Sequence, residues 1–438
     1  MALVKYPLAR VPALIFGPRP DPLGWLEALA REGDLVHISF PTAPVYYAFH
    51  PDIIRECLST KQSSFQKGRG IQRARLVLGL STLTVEGEEH IKRRRALLPL
   101  FQRERLNSNA DAIIARACEH SARWHEGKII DLANEMHHLA FAIASQVFLG
   151  VRANEDEIAR ASEAMSQVVN MFGKLMLPWG DNFVRLPLPS VKRFFAARDT
   201  LRALARRAYL DKTDANFQSH VCPVGDTDKA NIKMGEGQIE SVVDELVTLL
   251  IAGHETTALM LTWAIYLLSQ HPSNLEKARS EIEMYGSLED LKEESFARMS
   301  FVRGVLAETL RLYPPVWGIG RRAIEDVALG SEMIPRGAFV TMSPWVMHRD
   351  ARFYSAPLSF RPERWENYSP PSYAYIPFGG GGRRCIGEGF AWMEGALILA
   401  TLLPRWNFEQ VSTNPDVKPG FTLHPRTPIL MRLGCRNE

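Results

Sequence analysis

Phe378-Gly379-Gly380-Gly381-Gly382-Arg383-Arg384-Cys385-Ile386-Gly387 runs near the C-terminal end of the chain and is its most unusual sequence. Four consecutive glycines let the backbone take positive φ and let a large flat object come close to it. A cysteine beside two arginines sits where the thiolate is favoured over the thiol. The run from Glu388 to Leu397 has a helical apolar period. A helix starting there points its N–H groups and positive dipole end at the sulfur. A lone cysteine is ordinarily one more small buried core residue. Here, however, Phe378, Gly381, Arg383, Cys385 and Gly387 fill a fixed spacing, Phe-x-x-Gly-x-Arg-x-Cys-x-Gly. A composition like this one produces that spacing by chance on the order of once in ten thousand chains.

The surrounding chain has 438 residues, 46% of them hydrophobic and 23% charged, an ordinary globular balance. No Gly/Ser-rich linker, low-complexity tract or internal repeat divides it, so one domain over residues 1–438 is expected. A net charge of +3 gives no case for nucleic acid. The five cysteines, Cys57, Cys118, Cys222, Cys385 and Cys435, contain no Cys-x-x-Cys pair, which argues against a cysteine zinc site, and so odd and sparse a set argues against a disulfide framework. Residues 1–21 hold four prolines and no apolar run near the length of a membrane span, so no signal or membrane anchor is expected.

The pattern is mainly α. Asp21-Pro22 caps a helix through about Arg31. Segments 35–40 and 44–49 read as a hairpin, and 51–58 as a short helix. The pattern loosens from Ser59 to Glu86, and a long, functional loop is expected there. Helices are expected at roughly 89–101, 107–126, 132–150, 154–174 and 190–213, with a surface loop from Asn216 to Gly237. Ile239 to Gln270 reads as one long helix stopped by His271-Pro272, and helices near 273–284 and 299–312 follow. Small β patches are expected at 35–49, at 321–342 and near the C-terminus.

The long helix carries Ala252-Gly253-His254-Glu255-Thr256-Thr257 at its centre, with apolar residues on almost every face. A carboxylate there is costly without a partner or a task. Gly253 costs about 1 kcal/mol against alanine and allows local opening. Taken alone, the segment reads equally well as a glycine packing notch with a threonine bonded back to the previous turn.

With the cysteine loop beside it, the chain resembles the cytochrome P450 family, over essentially its whole length and with four motifs in the family's order: 252–257, 308–311, 362–364 and 378–387. The resemblance implies the P450 fold, a long central helix over haem b (iron protoporphyrin IX), with Cys385 as the axial iron ligand. A thiolate there pushes electron density onto iron and favours O–O cleavage. It implies that Thr256 hydrogen-bonds dioxygen and water and that Glu255 relays protons, which is general acid chemistry. Phe378, Gly387 and Ala252 would border the cofactor. His90 and Arg94, in the His-x-x-x-Arg pattern of soluble members, would bind a haem propionate together with Arg321 and Arg383. Glu308, Arg311 and Arg364 match the family's structural Glu-Arg-Arg triad; as sequence alone, a Glu and an Arg three apart are most often a surface pair.

The expected activity is insertion of one oxygen atom of O2 into a small apolar organic substrate, in the cytoplasm. No redox module is read in the chain, so electrons are expected from a ferredoxin or flavodoxin and its reductase. That donor would dock on a basic face with Lys92, Arg93, Arg95, Arg103 and Arg105. Hydroperoxide-using peroxygenases and isomerases of the family typically lack the acid–Thr pair seen here; a non-catalytic haem-thiolate sensor is the alternative from another class. Thr248, Ile251, Trp317, Ile319 and Leu423 are expected to wall the pocket, although Trp317 beside Pro314-Pro315 also reads as a packing anchor. The 65–80 loop and the Met165–Leu177 segment, with Met171, Phe172, Leu175 and Met176, would close it. Gly318-Ile319-Gly320-Arg321-Arg322-Ala323 spells a dinucleotide fingerprint but runs into a strand, where that motif needs a helix.

Overall fold

The computed structural model describes residues 3–7, 21–175, 180–211, 236–286, 296 and 298–436. Most of the expected loop after Asn216, together with Met176, Leu177 and Cys222, lies outside the described residues. The chain divides into two compact units that interleave in sequence. The first holds Met1–Gln72, Leu310–Arg361 and Asn367–Cys385; the second holds Arg73–Thr309, Pro362–Glu366 and Ile386–Glu438.

The first unit is built on a six-stranded sheet. Its order is Leu3–Lys5, Leu35–Ser39, Pro44–Ala48, Phe339–Met342, Ile319–Ala323, Phe65–Lys67. The β patches expected near 35–49 and 321–342 are thus one sheet, joined where Val45 to Ala48 pairs in parallel with Phe339 to Met342. Leu35, Val36 and Ile38 are buried, and Trp25 of the first helix meets Tyr47 edge-on at 5.0 Å. That helix, Pro22–Glu32, starts as expected: the Asp21 carboxylate accepts the Gly24 N–H, and proline fills the first turn.

Residues 59–86 are not the long loop expected. They form a 3₁₀ turn at Gln62–Ser64, the edge strand Phe65–Lys67 and a helix, Arg69–Leu78. Their apolar period was obscured by arginines at 69, 73 and 75, one of which, Arg73, is itself buried and donates to the Leu175 carbonyl.

The second unit is helical, and its axis is the 35-residue helix Glu236–Gln270, closed by Pro272. Every position from Val242 to Leu268 is buried except Ala252, Gly253 and Thr256. By length and composition it could cross a membrane, but 83% of its most apolar window is buried in the fold, as a core helix requires. Helix Leu132–Ala144 packs along it, and helices Arg103–Ser121, Glu155–Leu175, Pro189–Leu210 and Glu388–Leu402 belong to the same unit. A three-stranded sheet (Trp406–Gln410, Leu430–Cys435, Ile129–Asp131) and a hairpin (Val417–Pro419, Leu423–Pro425) belong to it as well.

Candidate active site

In the first unit, the cysteine loop is closed by its own backbone: the Cys385 N–H donates to the Phe378 carbonyl at 2.9 Å. Gly379 and Gly381 have φ of 71° and 66°, the left-handed region that favours glycine. A Cβ on Gly381 would lie 1.8 Å from the Leu58 carbonyl oxygen, and one on Gly380 2.5 Å from the Tyr373 ring. The Gly382 N–H donates to Gln62 Oε1 at 2.8 Å. Cys385 itself is exposed. Gly387 occupies the cap position of helix Glu388–Leu402 and accepts the Ala391 N–H.

Arg321 and Arg383 both belong to this unit, and both charges are felt at Cys57. Burial pushes the thiol of Cys57 up to about 12, and the charges of both arginines act on it in the opposite sense. Two guanidinium groups whose charges both act on one buried point, with the Cys385 loop carrying one of them, suit an anionic ligand.

In the second unit, the long helix is uncovered only at Ala252, Gly253 and Thr256 within its buried span. The Thr256 hydroxyl donates to the Ala252 carbonyl at 2.7 Å. A Cβ on Gly253 would lie 2.7 Å from the Phe148 ring. The packing notch and the back-bonded threonine are therefore both real features of the segment.

Glu255 turns the other way and is buried. Oε1 accepts the Thr422 hydroxyl at 2.8 Å and faces His424 Nε2 at 2.7 Å; Oε2 lies 3.7 Å from His137 Nδ1. Burial alone would push the carboxyl up. The His424 hydrogen bond and the neighbouring imidazoles overrule it and hold Glu255 well below the usual carboxylate range. His254 meets His137 Nδ1 through Nε2 at 3.2 Å, and burial holds its imidazole down at about 3.

His90 is buried and Arg94 half-buried one turn apart on helix Gly87–Leu97. Arg93 does not belong to the solvated basic face expected of it. Its side chain is buried, bonded to Glu89 at 2.5 Å, to the Leu80 carbonyl at 2.6 Å and to Glu245 at 3.2 Å. Glu245 is wholly buried, and burial raises its carboxyl against the pull of Arg93. The helix turns position 93 inward because Asp244 and Glu245 of the long helix need cations, and Arg202 answers Asp244 at 2.6 Å. Lys92, Arg95, Arg103 and Arg105 are exposed.

Of the triad positions, Glu308 and Arg364 meet at 3.4 Å in the second unit, where Trp365 Nε1 also donates to Glu308 at 3.0 Å. Arg311, in the first unit, is fully buried. It donates to the carbonyls of His348, Pro357 and Ser359 and lies over the Tyr354 ring. His348 Nε2 in turn accepts the Ile376 N–H at 2.9 Å, two residues before Phe378.

Among the expected pocket residues, Thr248, Ile251 and Leu423 are buried in the second unit, with Thr248 bonded back to the Asp244 carbonyl. Trp317 and Ile319 are half-buried in the first, and the Trp317 carbonyl accepts the Ser343 hydroxyl. Met165, Met171, Phe172 and Leu175 point inward, and Phe172 stacks on Phe421 at 4.5 Å.

Sequence reasoning missed His137, Thr422 and His424, which reach Glu255 across more than a hundred residues and leave no local pattern. It also missed Glu394, on the helix after the cysteine. Burial pushes the Glu394 carboxyl up to about 8, more than the neighbouring Thr257 pulls it down. A carboxylate in an all-apolar helical run was the signal for it.

The family model described as "Cytochrome P450" matches residues 22–432. The chain belongs to the cytochrome P450 family. It is 30% identical to cyclooctat-9-en-7-ol 5-monooxygenase of Streptomyces melanosporofaciens over 92% of this chain and 87% of that one. With pentalenene oxygenase of Streptomyces avermitilis it shares 29% identity over 95% and 93%. Among solved structures, two from strains of Thermus thermophilus superpose with TM-scores of 0.75 and 0.77 at 24% and 25% identity, covering 94% and 98% of this chain and 98% and 99% of theirs. The chain is accordingly a cytochrome P450 monooxygenase, an enzyme of the haem-thiolate class that binds haem b.

Proposed function

We propose that Cys385 is the thiolate that holds the haem iron, and that the chain inserts one atom of O2 into an apolar organic substrate. The observation that carries this reading is an exposed cysteine at the end of a loop whose conformation only glycine tolerates at Gly381. Once bound, haem supplies the O–O cleavage and the oxidising power that side chains lack. Arg321 and Arg383, with His90 and Arg94, are proposed to bind its propionates, and Phe378, Gly387 and Ala252 to border it. That the charges of Arg321 and Arg383 both act on Cys57 supports the first assignment. The whole of 1–438 serves as one catalytic domain in this reading.

The chain's own part is proton handling. The Thr256 hydroxyl donates its hydrogen bond to the Ala252 carbonyl, so its oxygen is oriented to accept a hydrogen bond from water. Glu255, held ionised, takes protons from the solvent side through His424, whose side chain is 28% exposed and 2.7 Å away. The protonated carboxyl would then release that proton inward and return to the carboxylate, ready for the next.

Relatives named for pentalenene and cyclooctat-9-en-7-ol support an apolar, ring-containing substrate, walled by Thr248, Ile251, Trp317, Ile319 and Leu423. A ferredoxin or flavodoxin with its reductase supplies electrons and docks on the face with Lys92, Arg95, Arg103 and Arg105. The compartment is the cytoplasm. In the test, the reduced, carbon-monoxide-bound protein shows the red-shifted Soret band of thiolate ligation, and Cys385→Ser loses it. A variant that keeps the band refutes the assignment. Oxygen consumption that rises with an added apolar substrate separates the enzyme from a sensor.

A further inference from the structure

Behind the exposed turn of the long helix, three chain segments bring four basic or acidic side chains to one place. His137 comes from helix Leu132–Ala144, His254 and Glu255 from the long helix, and His424 from strand Leu423–Pro425. We infer that His137, His254 and Glu255 bind one divalent transition-metal ion of the zinc class, with His424 and Thr422 holding the carboxylate in place.

The donor spacing is the first argument. Ligands about 2.1 Å from a tetrahedral metal lie about 3.4 Å from one another. His137 Nδ1 stands 3.2 Å from His254 Nε2 and 3.7 Å from Glu255 Oε2, and the three donor atoms all lie within 4.8 Å of one another. Two imidazole nitrogens and one carboxylate oxygen form a borderline set that suits zinc and its neighbours better than calcium or magnesium. Three protein ligands leave the fourth position to water.

The second argument is the outer layer. A ligating carboxylate is normally fixed through its other oxygen. Here Glu255 Oε1 is held by Thr422 at 2.8 Å and by His424 at 2.7 Å, while Oε2 is the oxygen turned toward His137. His424 also stacks on His137, ring centroids 5.8 Å apart. The third argument is access. His254 and Glu255 are buried, whereas His137 and His424 keep side-chain exposures of 17% and 28%, leaving a way in from solvent.

An ion there occupies the carboxylate that the proposed proton path uses, so turnover slows as the site fills. That consequence, unlike the site itself, rests on the role proposed for Glu255.

The test uses the haem-loaded enzyme, stripped with EDTA and dialysed against zinc, with bound metal counted by mass spectrometry beside the haem iron. One zinc per chain is expected in the parent. His137→Gln should weaken binding at least tenfold, whereas His138→Gln, at the adjacent position, should bind as the parent does. His424→Gln, which removes no ligand, should weaken it by a smaller factor. The carbon-monoxide Soret band reports folding and haem loading in each variant. A parent that binds no zinc at stoichiometric concentration, or a folded His137→Gln that binds as the parent does, overturns the site. Stoichiometric zinc that leaves turnover unchanged keeps the site and removes Glu255 from the proton path.

Discussion

The cysteine loop and the turn of the long helix at Ala252–Thr257 solve opposite problems. The loop is shaped from within and from beside: its closing hydrogen bond joins Phe378 to Cys385, and its glycines are pressed by Leu58, Gln62 and Tyr373. What it presents is one exposed sulfur on a rigid backbone. The helix turn presents two things on two sides. Thr256 faces the uncovered side, while Glu255 faces a buried cluster supplied by residues 137, 422 and 424. Rigidity in the first region comes from backbone sterics, and in the second from a polar network. Damage should therefore be all-or-none in one and graded in the other.

The largest effect is expected from Gly381→Ala. The new Cβ would fall 1.8 Å from a backbone carbonyl at a φ of 66°, a clash with nothing flexible to give way. The purified variant should retain little haem, read as the haem-to-protein ratio. Gly379→Ala is the matched control, since its φ is 71° but nothing lies within 4 Å. It should cost only about 1–2 kcal/mol of left-handed strain and keep its spectrum. Equal haem content in the two variants would refute the steric account of the loop.

That asymmetry explains what could be read from the sequence. Phe378, Gly381, Arg383, Cys385 and Gly387 act through local geometry, so their spacing alone carries the motif. The long helix was legible for the same reason, from an apolar run that carries Ala252 to Thr257 at its centre and stops at His271-Pro272. Long-range polar partners were not legible. Arg93 reads as one more cation in a basic run, and only the fold puts Glu245 opposite it. Residues 59–86 misled because buried Arg73 breaks the apolar period.

Arg93 supplies the next largest effect. Arg93→Ala leaves the wholly buried Glu245 without its cation, at a cost of about 3–5 kcal/mol, visible as a large loss in chemical denaturation. Arg95→Glu, on the exposed side of the same helix, should leave stability nearly unchanged. It should instead weaken the salt dependence of reduction by an acidic ferredoxin, since exposed charges are screened over about 8 Å at physiological salt. Equal stability losses from the two substitutions would put Arg93 back on the surface.

A graded effect belongs to the polar network. His424→Gln keeps a hydrogen-bond donor near Glu255 but removes a titrating link, and turnover should fall on the order of tenfold with the haem spectrum intact. Its solvent isotope effect should rise, because proton supply becomes slower. Thr256→Ala should instead divert reducing equivalents to peroxide with little change in their consumption. If His424→Gln turns over at the parent's rate with the parent's isotope effect, protons reach Glu255 by another way.

The last test asks whether burial alone governs a carboxylate that has no such network. Glu394 lies in the same unit as Glu255, and its carboxyl is pushed up to about 8 from an ordinary 4.5. Between those values the folded chain keeps a proton that the unfolded chain has released. Since the native state binds more protons there, stability falls as pH rises through that window. Below it both states are protonated and the group is neutral in effect; above it the loss is complete. Glu394→Gln carries no titrating proton, so its stability relative to the parent should be lowest near pH 4–5 and rise toward pH 8. Each unit of pKa difference corresponds to about 1.4 kcal/mol, so the full gain is at most a few kcal/mol, measurable by denaturant unfolding at a series of pH values. A gap between variant and parent that stays constant from pH 5 to pH 8 would mean that Glu394 is ionised in the folded protein, and that a partner, as at Glu255, compensates its burial.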